Sequence, residues 1–203
     1  MEPVKWAEDT ARDLLQIPLP RRWAHARGVA AKARTLVSTL GKDTDLVEAA
    51  AWLHDIGYAP RLHDTGFHPL DGARYLRDVA RADPLLCRLV AHHSGALAEA
   101  SERGLGADLA REFRPAPRDL ADALTYCDMT TGPDGQHVAV HDRFAEIQRR
   151  YGPDHIVSRA LAGSAPEITA AVSRVERRLA MSKPAPRVEG RCATGLTPCG
   201  QDT

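Results

Sequence analysis

The sequence predicts an all-α fold, a single helical bundle over residues 1–181 followed by a disordered tail over 182–203. Three observations carry this. Apolar residues recur at three- and four-residue steps along most of the chain, and no segment shows the alternation of a half-buried strand. Alanine and arginine are abundant while β-branched runs are absent. From Ser182 the composition turns to Pro, Gly, Thr and Cys without any periodicity, as chain termini without packed elements do.

Each helix has its own start and stop. The first, over about residues 3–16, ends before Pro18 and Pro20, which cannot continue it. The second, about 21–40, carries Val29, Ala33, Leu36 and Leu40 on one stripe and stops at Gly41. The third begins at Asp43 or Asp45, either of which can cap it, and runs to Gly57. Residues 58–67, rich in Pro, His, Asp and Gly, form a loop. Helices follow at about 69–82, 84–94 and 96–104, with Pro84 in a favourable first turn. Residues 105–117 are broken by Gly106, Pro115 and Pro117. A helix over about 118–129 leads into the turn Gly132-Pro133-Asp134-Gly135, and two more cover about 138–150 and 154–181.

Bulk properties exclude several classes. The chain has 203 residues, 43% of them hydrophobic, enough for one domain with a core. Lys plus Arg and Asp plus Glu both number 27, which argues against a partner recognised through bulk charge, whether a nucleic-acid polymer or a membrane surface. The N-terminus shows no signal peptide, and no apolar run reaches the roughly eighteen residues of a membrane span. Cysteines at 87, 127, 192 and 199 make no C-x-x-C pair, so free thiols and a cytoplasmic location are expected.

The chemistry lies in ionisable residues placed on apolar stripes. His25 is in line with Val29, Ala33 and Leu36, and His54 shares a face with Leu46 and Ala50. His92 continues Leu85 and Leu89, His93 continues Leu86 and Val90, and Asp128 follows Leu120 and Leu124. Side chains three or four apart stack on one helical face, so all of these groups should point inward. A lone inward histidine is commonly just a core residue, but a buried unpaired carboxylate is strongly disfavoured. Four helices sending ligand-type groups inward share one remedy, a bound divalent cation. Imidazoles and carboxylates without thiolate suit Fe, Mn, Co, Ni or Zn, one ion or two.

The order His25, His54-Asp55, Asp128 resembles the HD superfamily, and Ala51-Trp52-Leu53-His54-Asp55-Ile56-Gly57 is similar to that family's core helix ending. His68-Pro69-x-x-Gly72 and His92-His93 resemble elements of its binuclear branches, among them HD-GYP phosphodiesterases and small hydrolases of diadenosine tetraphosphate. The resemblance covers roughly residues 21–131. It implies a first metal held by His25, His54, Asp55 and Asp128, with Asp55 bridging to a second held by His68, His92 and His93. A metal-activated water would then attack phosphorus in a nucleotide or related small phosphorylated metabolite.

The pattern departs from the family at Tyr58, where many members carry a phosphate-binding Lys and the nucleotidase branch a catalytic Glu. A replacement positive charge is sought in Arg61, Arg22 or Arg21. His63 is the candidate general acid for the leaving oxygen, Ser94 lets substrate approach closely, and Thr130 and Thr131 are candidate hydrogen-bond donors to it. Two other functions share the same ligand set. One is a mixed-valent diiron oxygenase acting on a phosphonate or polyol, as in some HD proteins; the other is a nucleotide-sensing module. The final helices are compatible with a homodimer.

Overall fold

A computed structural model of the chain describes residues 3–182, and these form eleven α-helices and no strand. In chain order they are α1 (Pro3–Leu15), α2 (Pro20–Arg34), α3 (Val37–Leu40), α4 (Thr44–Leu53), α5 (His68–Asp78), α6 (Pro84–Ala91), α7 (Ala96–Glu102), α8 (Gly106–Glu112), α9 (Arg118–Met129), α10 (Val140–Tyr151) and α11 (Ile156–Ser182). Ser182 closes α11; the rest of the expected tail lies outside the described residues. No helix among the described residues is long and apolar enough to cross a membrane.

The bundle is organised around α4, which packs against α1, α2, α6 and α9. Val47 through Leu53 are all buried. The run Ala49-Ala50-Ala51 explains how one short helix serves so many neighbours, because small side chains let helix axes approach closely from several directions. Trp52 and Trp23 stack at 5.2 Å between ring centroids and seal the α2 side. On the opposite side, α9 packs on α11, where Arg174 donates Nε and Nη2 to the two oxygens of buried Asp122 at 2.6 and 2.8 Å. Such a paired fork fixes orientation as well as contributing energy.

The structure departs from the expected elements in two places. The second expected helix divides into α2 and α3. After Arg34 the last turn tightens: Thr35 N bonds Lys32 O and Leu36 N bonds Ala33 O, three residues back rather than four. The Thr35 hydroxyl takes Lys32 O as well. The stretch 105–117, expected to be broken, contains α8. Its seven residues bury Leu109 completely, and Glu112 pairs with Arg74 and Arg77 at 2.6 and 2.9 Å. Its shortness and the prolines at 115 and 117 hid it from periodicity.

Gly57 explains how α5 meets the end of α4. The turn Ile56–Tyr58 lies so close to α5 that a Cβ on Gly57 would stand 2.0 Å from the carbonyl oxygen of His68 and 2.7 Å from the nitrogen of Gly72. Both obstacles are backbone and cannot swing away. Gly57→Ala is therefore expected to cost about 1–3 kcal/mol by overpacking, lowering the melting temperature by about 2–4 °C per kcal/mol. A thermal melt identical to that of the wild-type protein would show that the two backbones do not meet as described.

Candidate metal centre

Five elements converge on one point beneath α10 and α11: α2, the end of α4, the start of α5, the turn after α6 and the end of α9. Helix ends carry most of it, and they do so because helix ends leave backbone carbonyls without partners. His54 sits at the C-cap of α4, where its Nδ1 donates to the Ala51 carbonyl at 2.8 Å. His93 follows α6 and repeats the device three residues back, with Nδ1 donating to Val90 O at 2.7 Å. His25, mid-helix on the buried face of α2, donates its Nδ1 across the fold to Gly132 O at 3.0 Å.

Gly132 belongs to the turn after α9, and that turn is pressed against α2. A Cβ on Gly28 would stand 2.5 Å from Gly135 O, and Gly135 itself has φ +85°. Lys32 pins the turn from the same helix, its ammonium donating to the Thr130 carbonyl and, at 2.6 Å, to the Thr130 hydroxyl. Burial lowers the Lys32 pKa to about 8.

The three Nδ1 bonds have one chemical consequence. A carbonyl can only accept, so each Nδ1 carries the ring proton, and in the neutral imidazole Nε2 is left as a bare lone pair. These lone pairs face acceptors. His25 Nε2 lies 3.0 Å from Asp128 Oδ1, and His54 Nε2 lies 3.6 Å from Asp55 Oδ2 and 3.9 Å from Asp128 Oδ1. The His54 Nε2 is fully buried without a hydrogen-bond partner among the described residues. His93 Nε2 lies 3.2 Å from His68 Nε2, which is 3.4 Å from Asp55 Oδ1.

Two groups of donor atoms result, each within 4.8 Å: His25, His54 and Asp128, and Asp55, His68 and His93. Imidazole nitrogen and carboxylate oxygen, held by neighbouring hydrogen bonds, form the donor set of a divalent first-row ion. The orphaned His54 nitrogen gives such an ion a reason to be there. The neighbouring Cys127 is not a donor, and burial pushes its thiol well up.

The surroundings hold the cluster in its ligand state. Burial pushes the pKa of His54 below its ordinary value, against the raising effect of Asp55 and Asp128. Burial pushes His68 down further still, against Asp55. Burial alone would raise both carboxyls, but Arg22 and His54 hold Asp55 well below the usual range, and the adjacent His25 and His54 do the same for Asp128. Ser94, in left-handed backbone at φ 47°, donates its hydroxyl to Asp128 Oδ2. Left-handed backbone is costly for a residue with a side chain and persists where the surroundings impose it. Asp71 accepts from the backbone of Asp64 and Thr65 and from the Thr65 hydroxyl, which positions the loop leading to His68.

A cleft of about 670 Å³, mouth included, opens over the cluster. Arg22 and Tyr58 line it and form a stack with His68. Arg22 donates to Asp55 at 2.7 Å and lies 3.6 Å over the Tyr58 ring, whose other neighbour is His68 at 3.9 Å. Ser94 also lines it. Six expected site residues lie elsewhere. The His92 ring turns to the Phe113 carbonyl at 2.7 Å, away from the cluster, because the α6 ending points only one of the adjacent histidines inward. Arg61 and His63 are exposed on the loop before α5. The Thr131 hydroxyl is buried and donates to Cys127 O, capping α9. Arg21 pairs with Asp134 on the surface at 3.1 Å, and the Thr130 hydroxyl donates to Tyr126 O.

The sequence reading missed Glu99 on α7 and Arg143, Arg150 and Tyr151 on α10, all of which line the cleft. The α10 residues were legible by the rule that found the histidines. Val140, Phe144, Ile147 and Tyr151 make an apolar stripe, and Arg143 interrupts it.

The HD domain family model matches residues 22–127. A deoxyguanosinetriphosphate triphosphohydrolase-like protein of Azorhizobium caulinodans is 30% identical over 149 residues, covering 61% of this chain but 37% of that protein. The chain thus spans well under two thirds of that relative's length. No solved structure matches it.

The depressed histidine and carboxylate values set the acid behaviour of the metal-free protein. As pH falls below about 6.5, the ordinary histidine value, the unfolded chain takes up protons that folded His54 and His68 resist, so stability is lost. Asp55 and Asp128 add a loss of the same sign below about pH 4. Chelator-treated protein should therefore melt at progressively lower temperature from pH 7.5 to 5, and a divalent ion at about 100 times its Kd should restore about 2.7 kcal/mol at neutral pH. A melting temperature that rises on acidification, or ignores every divalent ion, would contradict the arrangement.

Proposed function

This chain belongs to the HD domain family, and from that membership we propose that it is a metal-dependent phosphohydrolase acting on a nucleotide or a related small phosphorylated metabolite. The observation that carries the reading is the convergence of four histidine Nε2 atoms and two carboxylates at the floor of a cleft lined by arginines. The nucleotide-hydrolase name of the relative supports the substrate class.

His25, His54 and Asp128 would hold one ion, and Asp55, His68 and His93 a second or a shared one. A divalent ion there supplies an acidified water for attack on phosphorus and neutralises the non-bridging oxygens. The protein's own contribution is orientation and charge. Gly132, Ala51 and Val90 fix which nitrogen of each ring faces inward. Arg22 takes the place of the family's usual lysine. Burial opposes its charge, but Asp55 beside it raises its pKa, so the guanidinium stays charged at the cleft wall. The Met129, Ile147 and Leu161 side chains form an apolar wall for the organic part of a substrate.

Formation of hydrolysis products, whether inorganic phosphate, triphosphate, nucleotide or nucleoside, across a grid of divalent ions against monoesters, nucleoside mono- and triphosphates and a diadenosine polyphosphate tests the reading. At least one substrate should be cleaved selectively, and Asp55→Asn and Asp128→Asn should each fall to background. Protein that retains its metal yet hydrolyses none of these substrates, while consuming oxygen with a phosphonate, would replace hydrolysis by oxidation.

A further inference from the structure

α10 lies beyond the matched region, yet it places two guanidinium groups, those of Arg143 and Arg150, on the wall of the metal cleft. Their charge is incompletely balanced. Both depend on one carboxylate: Glu146 accepts from Arg143 Nη1 and also from Arg150 Nε and Nη2, the last two at 2.9 and 2.7 Å on Oε1. By contrast, Arg22 has Asp55 and Arg174 has Asp122. The two guanidinium groups thus share one carboxylate on their own helix.

Arg143 is the unusual member of the pair. It is 6% exposed, and its Nε is buried without a hydrogen-bond partner among the described residues. A buried donor left unmade is expensive, more so on a charged group. Glu146 occupies only Nη1, which orients the guanidinium and leaves the Nε–Nη2 edge without a protein acceptor. That edge presents two parallel N–H donors, the geometry that matches two oxygens of a phosphate. Arg143 lines the same cleft as Ser94, His93 and Asp128.

We propose that Arg143 is a substrate-anchoring residue that takes two non-bridging oxygens of a phosphate monoester dianion on its Nε–Nη2 edge, with Glu146 positioning it and Arg150 adding charge at the mouth. The inference rests on the phosphohydrolase reading and deepens it by naming the terminal group the cleft accepts. It also gives α10, a helix outside the region the family model matches, a part in substrate binding.

Inorganic phosphate is the probe. Its binding to the manganese-loaded full chain is measured by calorimetry for the wild type, Arg143→Gln, Arg143→Lys and Arg149→Gln, with bound metal and melting temperature recorded for each. Arg149 is exposed on the same helix outside the cleft and controls for bulk charge. Arg143→Gln should weaken phosphate binding about tenfold or more at unchanged metal content. Arg143→Lys should recover only part, because it restores charge but not the fork, and Arg149→Gln should match the wild type. The proposal is overturned if Arg143→Gln binds phosphate normally, if Arg149→Gln weakens it equally, if the loaded wild type binds none, or if both Arg143 variants lose their metal. Phosphate binding that depends on Arg143 without turnover of any ester would sink the hydrolase reading alone. Turnover that Arg143→Gln leaves untouched would sink only the anchor.

Discussion

Three imidazole protons are committed to backbone carbonyls, and most of the architecture of this protein follows from where those carbonyls are. Ala51, Val90 and Gly132 take the Nδ1 protons of His54, His93 and His25. The opposite nitrogens are thereby compelled to meet as lone pairs in a space shared with two carboxylates. Arg22 donates to one of those carboxylates and Ser94 to the other, while His54 Nε2 keeps no hydrogen-bond partner among the described residues.

The central helix makes this meeting of donor atoms possible. α4 buries nearly its whole circumference, so its C-terminal end is rigidly placed before any ligand is added. A histidine at that end can cap a free carbonyl and aim inward at once, which a mid-helix histidine cannot do without a distant partner. His25 is the case in point. It is mid-helix, and its carbonyl must be delivered by a separate turn, held by a glycine–glycine contact and by Lys32. Local devices serve two ligands and a tertiary one serves the third.

This distinction also explains what the sequence disclosed. The all-helical fold and the inward placement of His25, His54, His93 and Asp128 were legible because a periodic stripe reports burial directly. Of two adjacent histidines, periodicity could not choose, since both continue an apolar row; the choice was made by the backbone turn after Ala91, where Ser94 adopts left-handed geometry. Arg61 and His63 were nominated by nearness along the chain, and loops do not keep sequence neighbours near a site. Arg143 was overlooked for the opposite reason, because an arginine among glutamates reads as surface even when the residues at steps of three and four around it are apolar. The α2–α3 break and α8 were hidden by their size, too short to show a period.

His25 and Asp128, 103 residues apart in the chain, meet directly, and the turn that steadies His25 comes later still. Loop closure over such a span is entropically slow. On a growing polypeptide the α1, α2 and α4 core can collapse early, while the pairing of the first ligand with the last must wait until α9 and its following turn have been made. Assembly of the centre is thus a late event in the life of the nascent chain. A chain cut short before the turn would keep its histidines but lose the carbonyl and the carboxylate that hold His25 in place.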